Sequence, residues 1–258
     1  NSLHVFCEKP FMLKPEQGED VLRLLGSKSV VNQVGYNSKF IGTFRRAKEL
    51  LEMGAIGKVY HFVAETYGPV VTKKKSITWR SSKDEGGGCL YDYAAHTIDL
   101  VNYLIGKPRL VTSTMLKRVY SHQVEDAVYS TLDMGQGVSG YLSVNWSDET
   151  YRKITTQLTI VGDAGKIVVD NQEFRIYVKK AYPDERLVKG WNVSYITDLA
   201  LPVNFYLRGE EYSAQIDYFF ESIKANTPAQ LNDFKSAFST DEVIQQILTS
   251  VDVGRSHG

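Results

Sequence analysis

Cysteine is nearly absent: the 258-residue chain carries only Cys7 and Cys89. That excludes a disulfide framework, and Cys7, set in an apolar strand-like run, reads as a reduced, buried thiol. Excess charge of either sign is also absent, since 30 Lys plus Arg face 30 Asp plus Glu. Nothing in such a balance concentrates phosphates or anionic lipid, so neither nucleic acid nor a membrane is an expected partner. No apolar run approaches the ~20 residues that span a bilayer, and Asn1-Ser2-Leu3-His4 lacks a basic segment leading into an apolar one. The expected location is cytoplasmic. There Asn145-Trp146-Ser147 and Asn192-Val193-Ser194, which fit the glycosylation triplet, would not meet that machinery.

A helix-opening phosphate loop is missing too. Gly135-Gln136-Gly137-Val138-Ser139-Gly140 matches G-x-G-x-x-G letter by letter. The fingerprint needs a helix opening on its glycines so that the helix N-terminus faces pyrophosphate. Here Tyr141 to Trp146 follows with period two, which is a strand, and the glycines read as a hairpin turn. No G-x-S-x-G elbow for a serine hydrolase is present. His4, His61, His122 and His257 lie in strand-like runs, a turn and the tail, and no metal site is expected.

What is present is ordinary globular composition, 43% hydrophobic and 23% charged, ample for a packed core. Leu3 to Cys7 reads as a strand, a helix runs from Pro15 to near Gly26, Val30 to Gly35 is a second strand, and Phe40 to Met53 has helical spacing. This is α/β order, too short for a complete doubly wound domain, because a sheet with a single neighbouring strand would leave both edges bare. Further chain upstream is expected. From Lys58 onward β-rich segments follow at about 58–67, 109–119, 126–133, 138–146, 153–161, 165–170 and 173–179. One long helix is expected near 89–105 and two more near 211–225 and 240–253, with 181–204 a long loop with short structure. The predicted fold class is α+β: the C-terminal remnant of a Rossmann-type α/β domain over 1–36, then over 37–258 a large, predominantly antiparallel sheet domain with helices on one face. The final helix is placed so that it can pack back on the first part.

Two segments bear on chemistry. Glu8-Lys9-Pro10 ends an apolar strand, where open α/β sheets place ligands, though the tripeptide alone reads more readily as a surface lysine. Gly86-Gly87-Gly88 leads into a helix carrying Asp92 and His96 one turn apart, with Asp99 and Tyr103 continuing that polar face and Tyr91, Ala95, Ile98, Val101 and Ile105 opposite. An imidazole accepts a hydroxyl proton near neutral pH, and a neighbouring carboxylate can orient it or favour its charged form. By spacing alone, an acid–base pair and a helix-surface pair are equally good readings.

Together these segments resemble the Gfo/Idh/MocA oxidoreductases, a family that includes inositol dehydrogenases and glucose-fructose oxidoreductase. His4 to Pro10 is similar to the family's strand plus E-K-P, and Gly54-Ala55-Ile56-Gly57-Lys58-Val59 to its G-x-I-G-K-V lead into the second domain. Gly86-Gly87-Gly88 with Asp92, His96 and Asp99 resembles its G-G-G-x-L-x-D-x-x-x-H-x-x-D helix. Asn37-Ser38-Lys39-Phe40 departs from it, with Lys where the family often has Arg.

The resemblance implies hydride transfer between NAD or NADP and a hydroxyl or keto carbon of a sugar, nucleotide sugar or cyclitol. It gives Lys9, Asp92 and His96 catalytic positions, Glu8, Lys9 and Pro10 the cofactor side, and Lys9, Arg80, Asp92 and His96 the substrate side. His96 would take the hydroxyl proton, Asp92 would position substrate or imidazole, and Lys9 would hydrogen-bond the reacting oxygen. It also implies a homodimer or homotetramer paired through the sheet, and a cofactor phosphate site that lies outside this chain. Two other readings stand beside it: a catalytically silent binding or oligomerisation domain, and NAD-dependent glycoside cleavage within the same superfamily.

Overall fold

The computed structural model describes residues 3–26, 28, 30–72, 78–227 and 230–255, with side chains to residue 251. Asn1, Ser2 and the tail residue His257 fall outside the described residues. Strand β1 (Val5–Cys7) and β2 (Asn32–Val34) pair in parallel, Val5 opposite Asn32 and Cys7 opposite Val34. Helix α1 (Pro15–Leu25) connects them. Proline fits its first turn because the missing N–H has no intrahelical partner there, and Gly26, at φ 44°, turns its N–H back onto the Leu22 carbonyl.

Helix α2 (Gly42–Glu52) precedes β3 (Val59–Tyr67). A π-helical stretch, Leu90–Ala94, runs into α3 (Ala95–Leu104). Seven strands follow: β4 (Leu110–Lys117), β5 (Ala127–Gly135), β6 (Val138–Asn145), β7 (Thr155–Gly162), β8 (Gly165–Asp170), β9 (Glu173–Val178) and β10 (Gly190–Tyr195). Three helices close the chain: α4 (Ile196–Leu199), α5 (Glu210–Lys224) and α6 (Phe234–Arg255). The large sheet is eight-stranded in the order β10-β9-β8-β7-β3-β6-β5-β4. Only β3 and β6 run parallel among its described pairings, so the sheet is mostly antiparallel, as expected.

Period-two alternation decides which face is buried. Along β7, Thr156, Leu158 and Ile160 are buried while Gln157, Thr159 and Val161 turn to the other side. Phe62, Leu142, Leu158, Ile160 and Ile167 from the sheet meet Phe44, Ile98, Leu100, Ile244 and Ile247 from α2, α3 and α6 in one core. Each fully buried aliphatic side chain contributes about 1.5–3 kcal/mol. The opposite face carries exposed Met115, Tyr141, Trp191 and Val193. Gly135, Gln136 and Gly137, at φ 79°, 51° and 78°, form the β5–β6 hairpin, where glycine meets the positive φ without penalty.

Helix α6 joins the two sheets. Its Phe234 N–H donates to Asn32 Oδ1 (2.7 Å), Phe238 packs against Gly18 of α1, and Gln246 accepts from Val111 N–H at 3.1 Å on β4.

Four expectations need correction. The helix near 89–105 opens as a π stretch. Strand β10 lies inside the segment read as a loop. Helix α6 begins at Phe234, capped where Ser236 N–H donates to Asp233 Oδ1 (2.8 Å), earlier than the residue-240 start. Cys7 is partly rather than fully buried, while Cys89 is buried and both are free.

Candidate functional site

The site is built where β1 ends. Glu8-Lys9-Pro10 follows the strand, the Lys9–Pro10 peptide is cis, and Phe11 then buries its ring against Phe234 of α6, centroids 4.7 Å apart. The exposed Glu8 side chain lies over Gly35, where a Cβ would stand 2.9 Å from Glu8 Oε2. Lys9 turns the other way: its Nζ donates to Asp92 Oδ1 at 2.7 Å and to the Asp92 carbonyl at 2.9 Å.

The glycine run explains how Asp92 comes to be there. A Cβ on Gly87 would stand 2.5 Å from the Arg80 carbonyl oxygen, and Gly88, at φ 106°, donates its N–H to that same carbonyl at 3.0 Å. Only glycine allows this approach, which locks the Arg80 backbone against the start of the helix. Glu125 secures the other side, its Oε1 accepting from Leu90 N–H at 2.8 Å and its carbonyl from Cys89 N–H at 3.0 Å. Arg80 Nε then reaches Asp92 Oδ2 at 2.9 Å. Asp92 therefore holds one cation on each carboxylate oxygen.

Burial works to raise the Asp92 carboxyl, but Lys9 and then Arg80 outweigh it and hold the group below the usual carboxylate range. His96 stands one turn further along, partly exposed, with the Tyr36 ring edge-on at 5.7 Å. Burial pushes its pKa down to about 3, Lys9 adds to the fall, and Asp92 opposes it. The carboxylate does favour the charged imidazole, as expected, but it is the smallest of the three influences. Burial and Lys9 together outweigh Asp92, so the ring is neutral near neutral pH.

The expected polar face ends at His96. Asp99 is 1% exposed and faces Lys39, itself 3% exposed, with Lys39 Nζ 2.9 Å from Asp99 Oδ1 and 3.1 Å from the Leu231 carbonyl. Burial raises the Asp99 carboxyl against the pull of Lys39. Tyr103 is half-buried beneath Lys39 and Lys48, 6.0 and 5.5 Å from its ring centre. A cavity of about 870 Å³, lined in part by Lys39, Tyr103, Ile154 and Tyr218, opens at this end of the helix, and none of Lys9, Asp92 or His96 lines it. Of the other histidines, His4 Nδ1 accepts from Val31 N–H at 2.9 Å and His61 Nδ1 pairs with the Ser139 hydroxyl at 2.9 Å, both structural. No group of three His, Cys, Asp or Glu side chains able to hold a metal occurs among the described residues.

Reasoning from sequence thus found Lys9, Arg80, Asp92 and His96, which the fold gathers at one end of one helix. It missed the Lys39–Asp99 pair and the contacts of Tyr36 and Asp241. Asp241, on α6, accepts from Met12 N–H at 2.9 Å. The signal for Asp99 was a charged residue at core spacing on an otherwise apolar helix.

A levoglucosan dehydrogenase solved with NADH and L-sorbose superposes with a TM-score of 0.84 at 20% identity, over 97% of this chain and 71% of that one. Residues 44–168 match the model of the GFO/IDH/MocA C-terminal domain, and over that stretch the chain resembles the Gfo/Idh/MocA oxidoreductases. Among curated relatives, scyllo-inositol 2-dehydrogenase (NADP(+)) IolW of Bacillus subtilis is 30% identical over 135 residues, 52% of this chain and 37% of that protein. The 2,7-anhydro-N-acetylneuraminate hydratase of Escherichia coli is 28% identical over 184 residues, 67% of this chain and 46% of that protein. The matches span less than half the length of these two relatives. No helix of the described residues is long and apolar enough to cross a membrane.

Proposed function

We propose that this chain forms the substrate side of an NAD(P)-dependent oxidoreductase acting on a hydroxyl or keto carbon of a sugar, nucleotide sugar or cyclitol. The observation that carries this reading is the cluster at the end of β1: Lys9 and Arg80 on the two oxygens of Asp92, with a neutral His96 one turn away. Residues 1–36 then represent the C-terminal part of a dinucleotide-binding domain and 37–258 the substrate-binding and oligomerisation domain, with α6 packed across both. The parallel pair β1–β2 supports the first assignment, since ligands in open α/β sheets sit beyond the carboxyl ends of the strands, where Glu8-Lys9-Pro10 stands.

Those residues suit the nicotinamide end of such a cofactor, standing just beyond the carboxyl end of β1. When bound, the nicotinamide supplies the hydride acceptor or donor. Lys9 spends two N–H groups on Asp92 and keeps the third for the substrate oxygen. Asp92 holds Lys9 and Arg80 in position, with Arg80, half-exposed, free to turn its remaining donors to substrate hydroxyls. His96 accepts the hydroxyl proton on a ring nitrogen during oxidation and returns it during reduction. The exposed Met115, Tyr141, Trp191 and Val193 on the open sheet face support pairing of two or four copies there. A second reading, elimination and hydration of an anhydro sugar at the same site, is favoured by the hydratase relative.

The test is a panel of polyols and sugars offered with NAD⁺ or NADP⁺ to the complete enzyme, this chain together with the rest of its dinucleotide-binding domain, and to its His96→Asn variant, following reduced nicotinamide and melting temperature together. At least one polyol should turn over in the parent, and the variant should lose 10²–10⁴-fold in rate, about what a general base contributes, with melting little changed. A silent parent across the panel, or a variant of near-normal rate, would overturn the assignment.

A further inference from the structure

Where α3, α6 and the residues after β2 meet, the interior holds more acceptors than donors. Both oxygens of Asp99, Oδ1 of Asp241 and the Tyr36 hydroxyl are buried there without an aligned hydrogen bond. The cations nearby are committed elsewhere: Lys39 to Asp99, Lys107 to Glu242 at 2.6 Å and Lys9 to Asp92. Asp241 is 4% exposed, and its Oδ2 takes the Met12 N–H, just past the Lys9 turn. The groups facing it are Cys7 of β1, Tyr36 after β2, Tyr91 of the π stretch and Glu242 on its own helix, none of them a cation. A buried carboxylate with neither ion pair nor full complement of donors is costly, and the ordinary resolution is for it to keep its proton.

We propose that Asp241 is a positioning residue for Lys9: as a neutral carboxylic acid it clamps the turn after Lys9 to α6, and loss of its proton frees that turn. The inference rests on the reading of Lys9 as the group that meets the substrate oxygen. The neutral acid accepts from Met12 with one oxygen and leaves its other oxygen, buried without a hydrogen-bond partner, free of charge. Beside it the Phe11 ring packs on Phe234, so residues 11 and 12 are held to α6 at two points, and Lys9 follows from them toward Asp92. Burial pushes the Asp241 carboxyl up to about 8, Glu242 adding and the Met12 N–H opposing.

Linkage gives a readout independent of turnover. In the clamped state the proton leaves Asp241 near pH 8, whereas once the turn opens the carboxyl ionises near its usual value of about 3.9. Between those limits each pH unit favours opening about tenfold. Amide exchange through that opening also rises about tenfold per unit by hydroxide catalysis. The Met12 amide should therefore gain about two logarithmic units of exchange rate per pH unit from 5 to 8 and about one above, whereas Asp241→Asn, neutral at every pH, should gain about one throughout. A slope of one in the wild-type chain from pH 5 to 8 would overturn the proposal. Should the variant fail to fold, direct carbon NMR of the Asp241 carboxyl in the wild type decides: a midpoint near 8 supports the clamp, and one near 4 sinks it. In turnover, kcat should fall above pH 8 in the wild type and hold level in Asp241→Asn. Exchange as expected with identical kcat profiles would leave the clamp standing and overturn its bearing on Lys9.

Discussion

Two carboxylates on one helical segment, two turns apart, meet lysines under opposite conditions. Asp92 is buried between Lys9 and a half-exposed Arg80, whereas Asp99 is closed in with Lys39 alone. Burial raises both, yet Asp92 ends below the usual carboxylate range and Asp99 above it. Desolvation is offset at the first by two cations and several hydrogen bonds; at the second one cation, shared with the Leu231 carbonyl, does not suffice. The lesson is that an Asp–Lys contact of 2.7 or 2.9 Å means little until its surroundings are counted. The Lys9–Asp92 pair ties the turn after β1 to the start of the helix, and the Lys39–Asp99 pair ties the segment after β2 to α3.

Breaking each pair sharpens the contrast. Lys39→Met should have the larger effect on folding, about 3–5 kcal/mol of lost stability in urea unfolding, because it leaves Asp99 buried without a counter-charge. The double variant with Asp99→Leu should recover most of that loss. A single variant as stable as the parent would show that Asp99 is already neutral and the pair unimportant. Asp92→Asn should cost less, about 1–3 kcal/mol, since the amide keeps an oxygen for Lys9 and half-exposed Arg80 can turn to water. Its signature lies in pH. A carboxyl whose folded pKa is depressed contributes stability that is present above its unfolded value of about 3.9 and is lost as pH falls through the folded value. Melting temperature below pH 4 should consequently fall less steeply in Asp92→Asn than in the parent, and parallel curves would remove Asp92 as the anchor of the two cations.

Much of this was legible in the residues. Period-two alternation located β3 to β9 because one face of each strand is buried and the other is not, and the turn after β5 could be told from a phosphate loop by the strand that follows it. Strand β10 escaped because it is an edge strand on which neither face is fully buried: Trp191, Val193 and Tyr195 are exposed and Asn192 and Ser194 only partly covered. The early turns of α6 escaped because Ser236, Ser239 and Thr240 are indifferent helix formers, and packing of Phe234 and Ala237 settles the matter instead. Lys9, Arg80, Asp92 and His96 were readable from local motifs. The partners of Asp99 and Asp241 come from distant segments, so a charged residue on an otherwise apolar helix looked like solvent-facing surface. The balance that leaves His96 neutral depends on distances and burial, which spacing does not contain.

Burial and Lys9 leave His96 neutral beside a carboxylate already occupied by two cations. The most direct test is an NMR titration of the His96 ring nitrogens in the folded wild-type chain. With a pKa pushed down to about 3, the ring should remain neutral at pH 5, where a free imidazole is almost fully charged. Folding stability should weaken as pH falls below about 6.5, since the unfolded chain takes up the proton first. A ring that is charged at pH 5, with a midpoint at 6.5 or above, would show instead that Asp92 outweighs burial and Lys9 at the imidazole.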